Sequence, residues 1–299
     1  MDIRIRPDGP NSVGLHSLLV WRTGDLVSEN YWSSYGPEDT HILNSVTKTV
    51  GATLTGVAVR DGLVDLDDFV ADRLSQSLGP HDDLRRAIRV RHLLTMTSGI
   101  SWPQYGPNNV SDSMGQSPDW VEFILQRPMA AEPGSVTNYS NGDAHLLGVL
   151  LQLATGQSLL DYGRRVLFDP LGIKSATWDL DPQGFSIGSA TLSLRPRDLV
   201  TLGQLYLNQG RWHGTQVVPA DWIGLCLTPH VEMATAGGAA GYGYSWWIYP
   251  DRGLVEAWGG AGQRIGVLPD LDTVVVMTGD IPDDRPRSPL ACSVYDQLV

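Results

Sequence analysis

The chain has 299 residues, of which 42% are hydrophobic and 18% are charged. This balance is typical of one large globular domain or two smaller ones, and it excludes a disordered chain, a collagen-like repeat and a coiled coil. The formal net charge of −12 disfavours nucleic acids and anionic membranes as partners, because both are themselves negatively charged.

The sequence shows no signal for export, metal binding or cofactor binding. The N-terminal segment MDIRIRPDGP has no apolar stretch of the kind that directs export, and no apolar run is long enough to cross a bilayer. We therefore expect a cytoplasmic protein. Cys226 and Cys292 lie far apart in no metal-ligand spacing, which predicts two reduced thiols. No nucleotide or metal motif is present, so we predict no cofactor and no metal.

The first predicted element is a β-hairpin. Its segment, LLVWRTGDLVSENYW at residues 18–32, has apolar, β-branched and aromatic residues on both sides of a turn at 23–25. Residues 45–60 then carry apolar residues at helical spacing, and this helix is expected to end at Gly62. Ser45 should therefore lie in the first turn of a buried helix.

The middle of the chain consists mainly of helical patterns separated by Gly, Pro and Asn. These patterns are DLDDFVADRL, RRAIRVRHLLTM, PDWVEFIL, DAHLLGVLLQLATG, LLDYGRRVLF, RDLVTLGQLYL and PADWIGLCL. After the glycine-rich segment TAGGAAGYG, strand patterns return in YSWWIY, GLVEAW, QRIGVLP and TVVVMTG.

Strands at both ends of the chain and helices between them predict an α+β fold. One mostly antiparallel sheet, built from the two chain ends and flanked by helices, would carry an inserted all-helical lobe. We predict a sheet domain from residues 1–60 and 240–299 and a helical lobe from residues 61–239. The cleft between them is the natural place for a site.

Ser45 and Lys48, in the segment SVTK, are the first catalytic candidates. Residues three apart lie on one face of a helix. A serine hydroxyl is a weak nucleophile that needs a base, and a partly desolvated lysine amine can take its proton. The alternative interpretation is a helix-capping serine beside a lysine that reaches solvent.

A second candidate is Tyr139-Ser140-Asn141, on a loop that precedes a predicted helix. A loop tyrosine can relay a proton between the serine and a leaving group, and an asparagine amide can orient a substrate carbonyl or the lysine. The alternative is a capping asparagine beside a buried tyrosine.

A third candidate is Trp258-Gly259-Gly260-Ala261, at the end of a predicted strand. The glycines would let a substrate lie along the strand edge, where a backbone N–H could complete an oxyanion hole with the N–H of Ser45. A plain bulge or hairpin corner is the alternative.

The segment Gly184-Phe185-Ser186-Ile187-Gly188 matches the G-x-S-x-G nucleophile elbow, but it lacks the preceding apolar strand and the directly following helix that the elbow requires. We interpret it as a chance match.

None of the seven histidines lies in a motif, and His92 and His145 are expected to be packing residues.

Taken in order, the S-x-x-K, Y-x-N and glycine-containing strand motifs resemble those of the serine β-lactamase and penicillin-binding-protein superfamily. The sequence is most similar to the class C β-lactamases and the β-lactamase-like (family VIII) carboxylesterases. The segments RHLLTMTSGI, PGSVTNYSNGDAHLLGVLLQLATG, LFDPLGIK and GQRIGVLPDLDTVVVMTGD support the resemblance, which spans roughly residues 16–280. It implies a β-lactamase/transpeptidase-like fold.

The resemblance also implies roles for the candidates. Ser45 would be the acylated nucleophile, Lys48 and Tyr139 would share the proton transfers, and Asn141 would position polar groups. Which of Lys48 and Tyr139 takes the first proton stays open, because their titrations would be coupled. The strand motif would form the wall that binds substrate.

The sequence departs from the family at this strand motif. Penicillin-recognising members have K-T-G or a histidine form, whereas this chain has Trp258-Gly259-Gly260 or, one residue earlier, Ala257-Trp258-Gly259. The missing cation disfavours anionic substrates unless Arg264 faces the site.

The sequence therefore predicts a serine hydrolase that cleaves a small ester through an acyl-serine intermediate. The partner is a small-molecule acyl substrate, and the oligomeric state is open. The alternatives are an amide or lactam hydrolase, a weak β-lactamase or D-peptidase, or an acyltransferase. A catalytically silent binding protein is a lesser alternative.

Overall fold

The computed structural model describes residues 14–74, 83–105, 109–235, 238–282, 284 and 288–298. Residues 1–13, on which the export prediction depends, lie outside them. The strands that the structure describes are β1 Leu15–Arg22, β2 Asp25–Tyr31, β3 His41–Ile42, β4 Ser193–Leu194, β5 Arg211–Trp212, β6 Thr215–Gln216, β7 Val231–Thr235, β8 Gly238–Tyr242, β9 Trp247–Tyr249, β10 Leu254–Gly259, β11 Gln263–Leu268 and β12 Thr273–Gly279.

Eight of these strands form one antiparallel sheet in the order β2-β1-β12-β11-β10-β9-β8-β7. The predicted N-terminal hairpin is confirmed: Arg22 pairs with Asp25, and the two turn residues between them both have positive φ, 46° at Thr23 and 96° at Gly24. Such a turn matches the right-handed twist of the strands it joins. Strand β1 also pairs with β12, so the two chain ends share one sheet as predicted.

The helices occupy the middle of the chain, and one follows the last strand. They are α1 Val46–Arg60, α2 Val70–Leu74, α3 Asp83–Arg86, α4 Val90–Leu94, α5 Val110–Gly115, α6 Trp120–Leu125, α7 Asn141–Thr155, α8 Leu159–Gly163, α9 Pro196–Leu207, α10 Ala220–Cys226 and α11 Pro289–Asp296, with a π-helical turn at Arg164–Phe168. No helix among the described residues has both the length and the apolar character needed to span a membrane.

The structure differs from the sequence predictions in several elements, among them α5 and the short strands β3 to β6, which were not predicted. The predicted helix RRAIRVRHLLTM is split into α3 and α4, because Arg89 is extended and forms a bridge with Phe69. The hairpin of β7 and β8 includes part of the glycine-rich segment that we interpreted as a break. Helix α11 was not predicted.

Helices cover both faces of the sheet. Gly203 of α9 packs so closely against Val274 that a Cβ there would lie 2.4 Å from the valine side chain. On the opposite face, Tyr295 of α11 packs over Gly266. Helix α1 is buried from Val46 to Ala58 between this sheet and the remaining helices, which explains its apolar composition.

The predicted domain boundaries stay a prediction. Strand β7 begins at Val231, before the predicted boundary at residue 240, and helix α9 packs against the sheet although the prediction assigned it to the helical lobe.

Candidate active site

Ser45 lies immediately before helix α1, at the end of the short segment that follows β3. A hydrogen bond of 2.8 Å from Leu43 N to Leu192 O holds this segment in place. The Ser45 hydroxyl makes no capping hydrogen bond to the helix, so it is not committed to the helix N-terminus. The partial positive charge at the N-terminus of α1 favours negative charge that develops beside it.

Lys48 is buried one turn into α1, with 2% of its surface exposed. Its Nζ donates to Ser45 Oγ at 2.8 Å and to Ser189 O at 2.9 Å. Burial lowers the pKa of Lys48 from its usual value of 10.5 to about 7, because desolvation disfavours the charged amine. A large fraction of Lys48 is therefore neutral at neutral pH and able to accept a proton.

The surroundings of Lys48 explain this desolvation. A cavity beside it has a volume of about 10 Å³ and is lined mainly by apolar residues, among them Leu93, Met96 and Leu147. A cavity of this size holds about one water molecule at most. The lysine therefore has little solvent to stabilise its charge.

Tyr139 completes the group. Lys48 Nζ lies 5.1 Å from the centroid of the Tyr139 ring, which packs against Trp247 with 5.7 Å between ring centroids. Burial raises the pKa of Tyr139 well above 10.0, and the neighbouring Tyr242 and Tyr105 contribute to the increase, while a hydrogen bond with Ser45 opposes it. Tyr139 is thus a neutral phenol at neutral pH, within hydrogen-bonding reach of the serine.

The Tyr139 loop is fixed by a buried carboxyl group that the sequence analysis did not identify. Ser98 Oγ donates to Asp143 Oδ1 at 2.7 Å, and Ser140 Oγ donates to the same oxygen at 3.1 Å. Burial raises the pKa of Asp143 to about 7. The pattern Ser140-x-x-Asp143, which is typical of a helix N-terminus, was the available sequence signal.

Asn141 is the first residue of α7 and lies beside the site. Its Nδ2 donates to Ser111 Oγ at 3.0 Å, and its backbone N–H donates to Gln104 Oε1 at 3.0 Å. Its Oδ1 is buried and has no hydrogen-bond partner among the described residues. The amide is therefore held by Ser111 rather than by Lys48, and its predicted positioning role stays a prediction.

The strand motif approaches Ser45 through Gly259. A Cβ on Gly259 would lie 2.3 Å from Leu43 O and 3.0 Å from Ser45 N. Alternate residues of a strand face opposite sides, so Ala257 also faces α1 and Trp258 faces away. Ala257 and Gly259 therefore lie on the α1 side of the strand, and the choice between the two registers of the motif stays a prediction.

Trp258 belongs to the same hydrophobic cluster as Tyr139 and Trp247. Its Nε1 donates to Asp284 Oδ2 at 2.8 Å, and its ring makes an edge contact with Trp247 at 6.3 Å between centroids. Trp247 thus contacts both Trp258 and Tyr139. The predicted contact of Trp258 with substrate stays a prediction.

The last three residues of β10 are not paired with β9. Strand β9 pairs with β10 only at Leu254–Glu256: Leu254 lies opposite Tyr249, and Glu256 lies opposite Trp247. The following three residues, Ala257, Trp258 and Gly259, have no partner from β9. All three of these residues are buried.

Arg264 does not supply the missing cation. Its side chain is 1% exposed and lies between two carboxylates, with Nη1 at 2.9 Å from Glu256 and Nη2 at 2.9 Å from Asp284. A guanidinium that is fully buried and bound to two carboxylates is not free to bind an anionic substrate.

The remaining sequence candidates lie apart from Ser45. Ser186 of the G-x-S-x-G match is fully buried and forms an isolated bridge with Leu180, with no helix directly after it. His145 is also buried, 3.1 Å from Asp181. Neither Cys226 nor Cys292 is in a disulfide bond, and burial raises the pKa of Cys226 to about 12.

Comparison with known proteins agrees with this geometry. The 6-aminohexanoate-dimer hydrolase of Paenarthrobacter ureafaciens is 24% identical over 293 residues, covering 91% of this chain and 74% of that protein. The lovastatin esterase of Penicillium rubens is 25% identical over 192 residues, covering 58% of this chain and 48% of that protein. The solved structure of EstCE1, a hydrolase with promiscuous acyltransferase activity, has a TM-score of 0.79 at 19% identity and covers 96% of this chain and 94% of that one.

These relatives confirm the predicted superfamily, the α+β fold class and the assignment to serine hydrolases. The family model described as Beta-lactamase matches residues 14–288, which include Ser45, Lys48, Tyr139 and the strand motif. The chain belongs to the beta-lactamase family.

Proposed function

We propose that this protein hydrolyses small uncharged esters through an acyl intermediate on Ser45. The observation that carries the proposal is the hydrogen bond of 2.8 Å between Ser45 Oγ and Lys48 Nζ, in which the lysine is buried and its pKa is about 7. A neutral amine in contact with a serine hydroxyl is a general base in position to activate it.

The acylation step uses three groups. Lys48 takes the hydroxyl proton as Ser45 Oγ attacks the ester carbonyl carbon, and the carbonyl oxygen becomes an oxyanion. That oxyanion binds the N–H of Ser45 and a backbone N–H at the end of β10. When the C–O bond breaks, the Tyr139 phenol protonates the leaving alkoxide, and the Lys48 ammonium returns a proton to Tyr139.

Deacylation repeats these steps with water. A water molecule attacks the acyl carbonyl while Lys48 and Tyr139 remove its proton, and the Ser45 oxygen leaves with a proton from the same pair. The carboxylic acid is released and the starting state is restored. Lys48 suits the role of first base better than Tyr139, because burial lowers the pKa of the amine and raises that of the phenol.

The charge of the site favours uncharged substrates. Among the described residues in contact with Ser45 and Tyr139, the cationic candidate is Lys48 itself, which must be neutral to act as a base. Strand position 257 is an alanine, and Arg264 is bound to two carboxylates. A substrate carboxylate would be desolvated here without a partner, which costs binding free energy.

An amide substrate is the second candidate. The 6-aminohexanoate-dimer hydrolase relative covers 91% of this chain, more than the lovastatin esterase relative does. Protonation of the leaving amine by Tyr139 would suit that reaction. Parallel assays of an ester and an amide with the same acyl group would separate the two candidates.

The nucleophile is tested with a p-nitrophenyl ester of a short acyl chain. Wild type should show a burst of p-nitrophenol followed by steady turnover, and Ser45→Ala should show neither. Thr47→Ala, in the same helical turn, is the matched control and should keep the burst. Turnover by Ser45→Ala at the wild-type rate would refute the proposal. If the wild type hydrolysed neither esters nor amides, a binding protein would be favoured instead.

Substrate charge gives a second prediction. A p-nitrophenyl butyrate and a p-nitrophenyl hemiglutarate have acyl chains of similar length, but the second carries a carboxylate. We expect kcat/KM to be at least about tenfold higher for butyrate, equivalent to about 1.4 kcal/mol, because the site offers the carboxylate no cation. Equal values for the two esters would show that the site has an anion-binding group.

A further inference from the structure

Asn44, the residue before the nucleophile, makes a contact that the proposed reaction has not used. Its Nδ2 donates to the carbonyl oxygen of Gly260 at 2.8 Å. Gly260 is 216 positions away in the sequence and belongs to the turn that ends β10. One side chain therefore connects the segment that carries Ser45 to the strand wall of the site.

The backbone of Asn44 is also unusual. Its φ is 47°, in the left-handed region that non-glycine residues rarely adopt and that asparagine tolerates best. Its carbonyl accepts a hydrogen bond from Thr47 N at 3.0 Å, in the first turn of α1. The conformation turns the chain from β3 into the helix and directs the Asn44 side chain toward Gly260.

The turn that Asn44 contacts is held from its other side as well. Ala261 has a φ of 63°, and its carbonyl accepts from Ile281 N at 3.1 Å. Since each peptide unit is planar, fixing the carbonyls of Gly260 and Ala261 fixes the N–H groups of Ala261 and Gly262. The backbone donors at the end of β10 are thereby held rigidly relative to α1.

We infer that Asn44 is a positioning residue that sets the spacing between the two halves of the oxyanion hole. One half is the N–H of Ser45, and the other is a backbone N–H of the turn that ends β10. This inference rests on the proposed function, because an oxyanion hole has a role only if Ser45 attacks a substrate carbonyl and an oxyanion forms. Asn44 itself does not touch the substrate.

Two substitutions distinguish the effect of the Asn44 side-chain hydrogen bond from the effect of its left-handed backbone conformation. Asn44→Gly keeps the left-handed conformation and removes the amide. Asn44→Asp keeps the shape but places a carboxylate oxygen against the Gly260 carbonyl, where no hydrogen bond can form. The matched control is Asp272→Gly, an exposed residue with a φ of 45° in the turn between β11 and β12, far from Ser45.

We expect both Asn44 variants to lose kcat by about tenfold to a hundredfold with KM within about threefold of wild type, because a displaced oxyanion donor acts mainly in the transition state. Binding of a short alkyl boronic acid, which forms a tetrahedral adduct with serine, should weaken by the same factor. The infrared carbonyl band of the acyl-enzyme should shift to higher frequency. Asp272→Gly should change none of these.

The outcomes also distinguish this inference from the proposed function. If wild type forms no acyl-enzyme at Ser45, the proposed function is wrong and the inference is wrong with it. If wild type forms one, and both Asn44 variants keep the wild-type kcat, boronic acid affinity and carbonyl band, the inference alone is wrong. A loss of kcat with an unshifted carbonyl band would also overturn it, because a general loss of structure would then explain the effect.

Discussion

Lys48→Met should make the protein more stable and abolish its activity. Methionine fills a similar volume without a charge, so the folded state no longer has to bury an amine. We expect a gain in unfolding free energy of about 1–3 kcal/mol at pH 7, after allowing for the lost hydrogen bonds to Ser45 and Ser189. We expect kcat/KM for a p-nitrophenyl ester to fall by a factor of about a thousand or more, because the serine loses its base.

The pH dependence of stability shows whether the buried amine of Lys48 causes the expected stability difference between Lys48→Met and wild type. The pKa of Lys48 is lower in the folded protein, about 7, than its ordinary value of 10.5. Between these values the unfolded chain binds more protons than the folded one, so this contribution to stability rises as the pH rises from about 7 to about 10.5. The advantage of Lys48→Met should therefore be largest at pH 7 and below, and should shrink toward pH 10. Urea unfolding at pH 7 and pH 9.5 measures it.

The pH dependence of activity follows from the same group. Below pH 7 Lys48 is increasingly protonated and cannot accept the serine proton, so kcat/KM of wild type should fall with an apparent pKa of about 7. Lys174, the second lysine of the chain, is the matched control because its ammonium is exposed and paired with Asp169. Lys174→Met should keep wild-type activity and change stability by less than about 1 kcal/mol. A Lys48→Met variant that is less stable at every pH would contradict this account.

The parts of the fold that sequence could predict have strong local signals. The N-terminal hairpin has a Thr-Gly turn between two apolar runs, and α1 has a long apolar pattern that ends near a glycine. Ser45 and Lys48 were paired correctly in space because helical periodicity alone places them on one face. Tyr139 joins them only through tertiary packing, and the family resemblance was needed to predict this.

The parts that sequence could not predict depend on distant contacts. No local pattern indicates the close approach of Gly259 to Leu43. Arg264 is neutralised by Glu256 from the neighbouring strand and by Asp284 from beyond the sheet. The hydrogen bond from Asn44 to Gly260 joins residues 216 positions apart, so no local sequence pattern indicates it.

Gly259→Ala should have the second large effect on activity. The added methyl group would lie 2.3 Å from Leu43 O and 3.0 Å from Ser45 N, both of them backbone atoms that cannot rotate away. Strand β10 and the start of α1 would have to separate, which enlarges the oxyanion hole. We expect a loss of stability of about 1–3 kcal/mol and a loss of kcat of about a hundredfold, measured by urea unfolding and ester hydrolysis.

The neighbouring glycine provides the control for this effect. A Cβ on Gly260 would meet no atom within 4 Å, and its φ is not in the left-handed region. Gly260→Ala makes the same chemical change one residue later, so we expect stability within about 1 kcal/mol of wild type and kcat within about threefold. If Gly260→Ala lowered kcat more than Gly259→Ala does, the register of the motif would be Trp258-Gly259-Gly260. Trp258 would then stand at the position of the family cation. The pair of alanine variants therefore tests two points at once: which glycine packs against the Ser45 segment, and which uncharged residue stands at the position of the family cation.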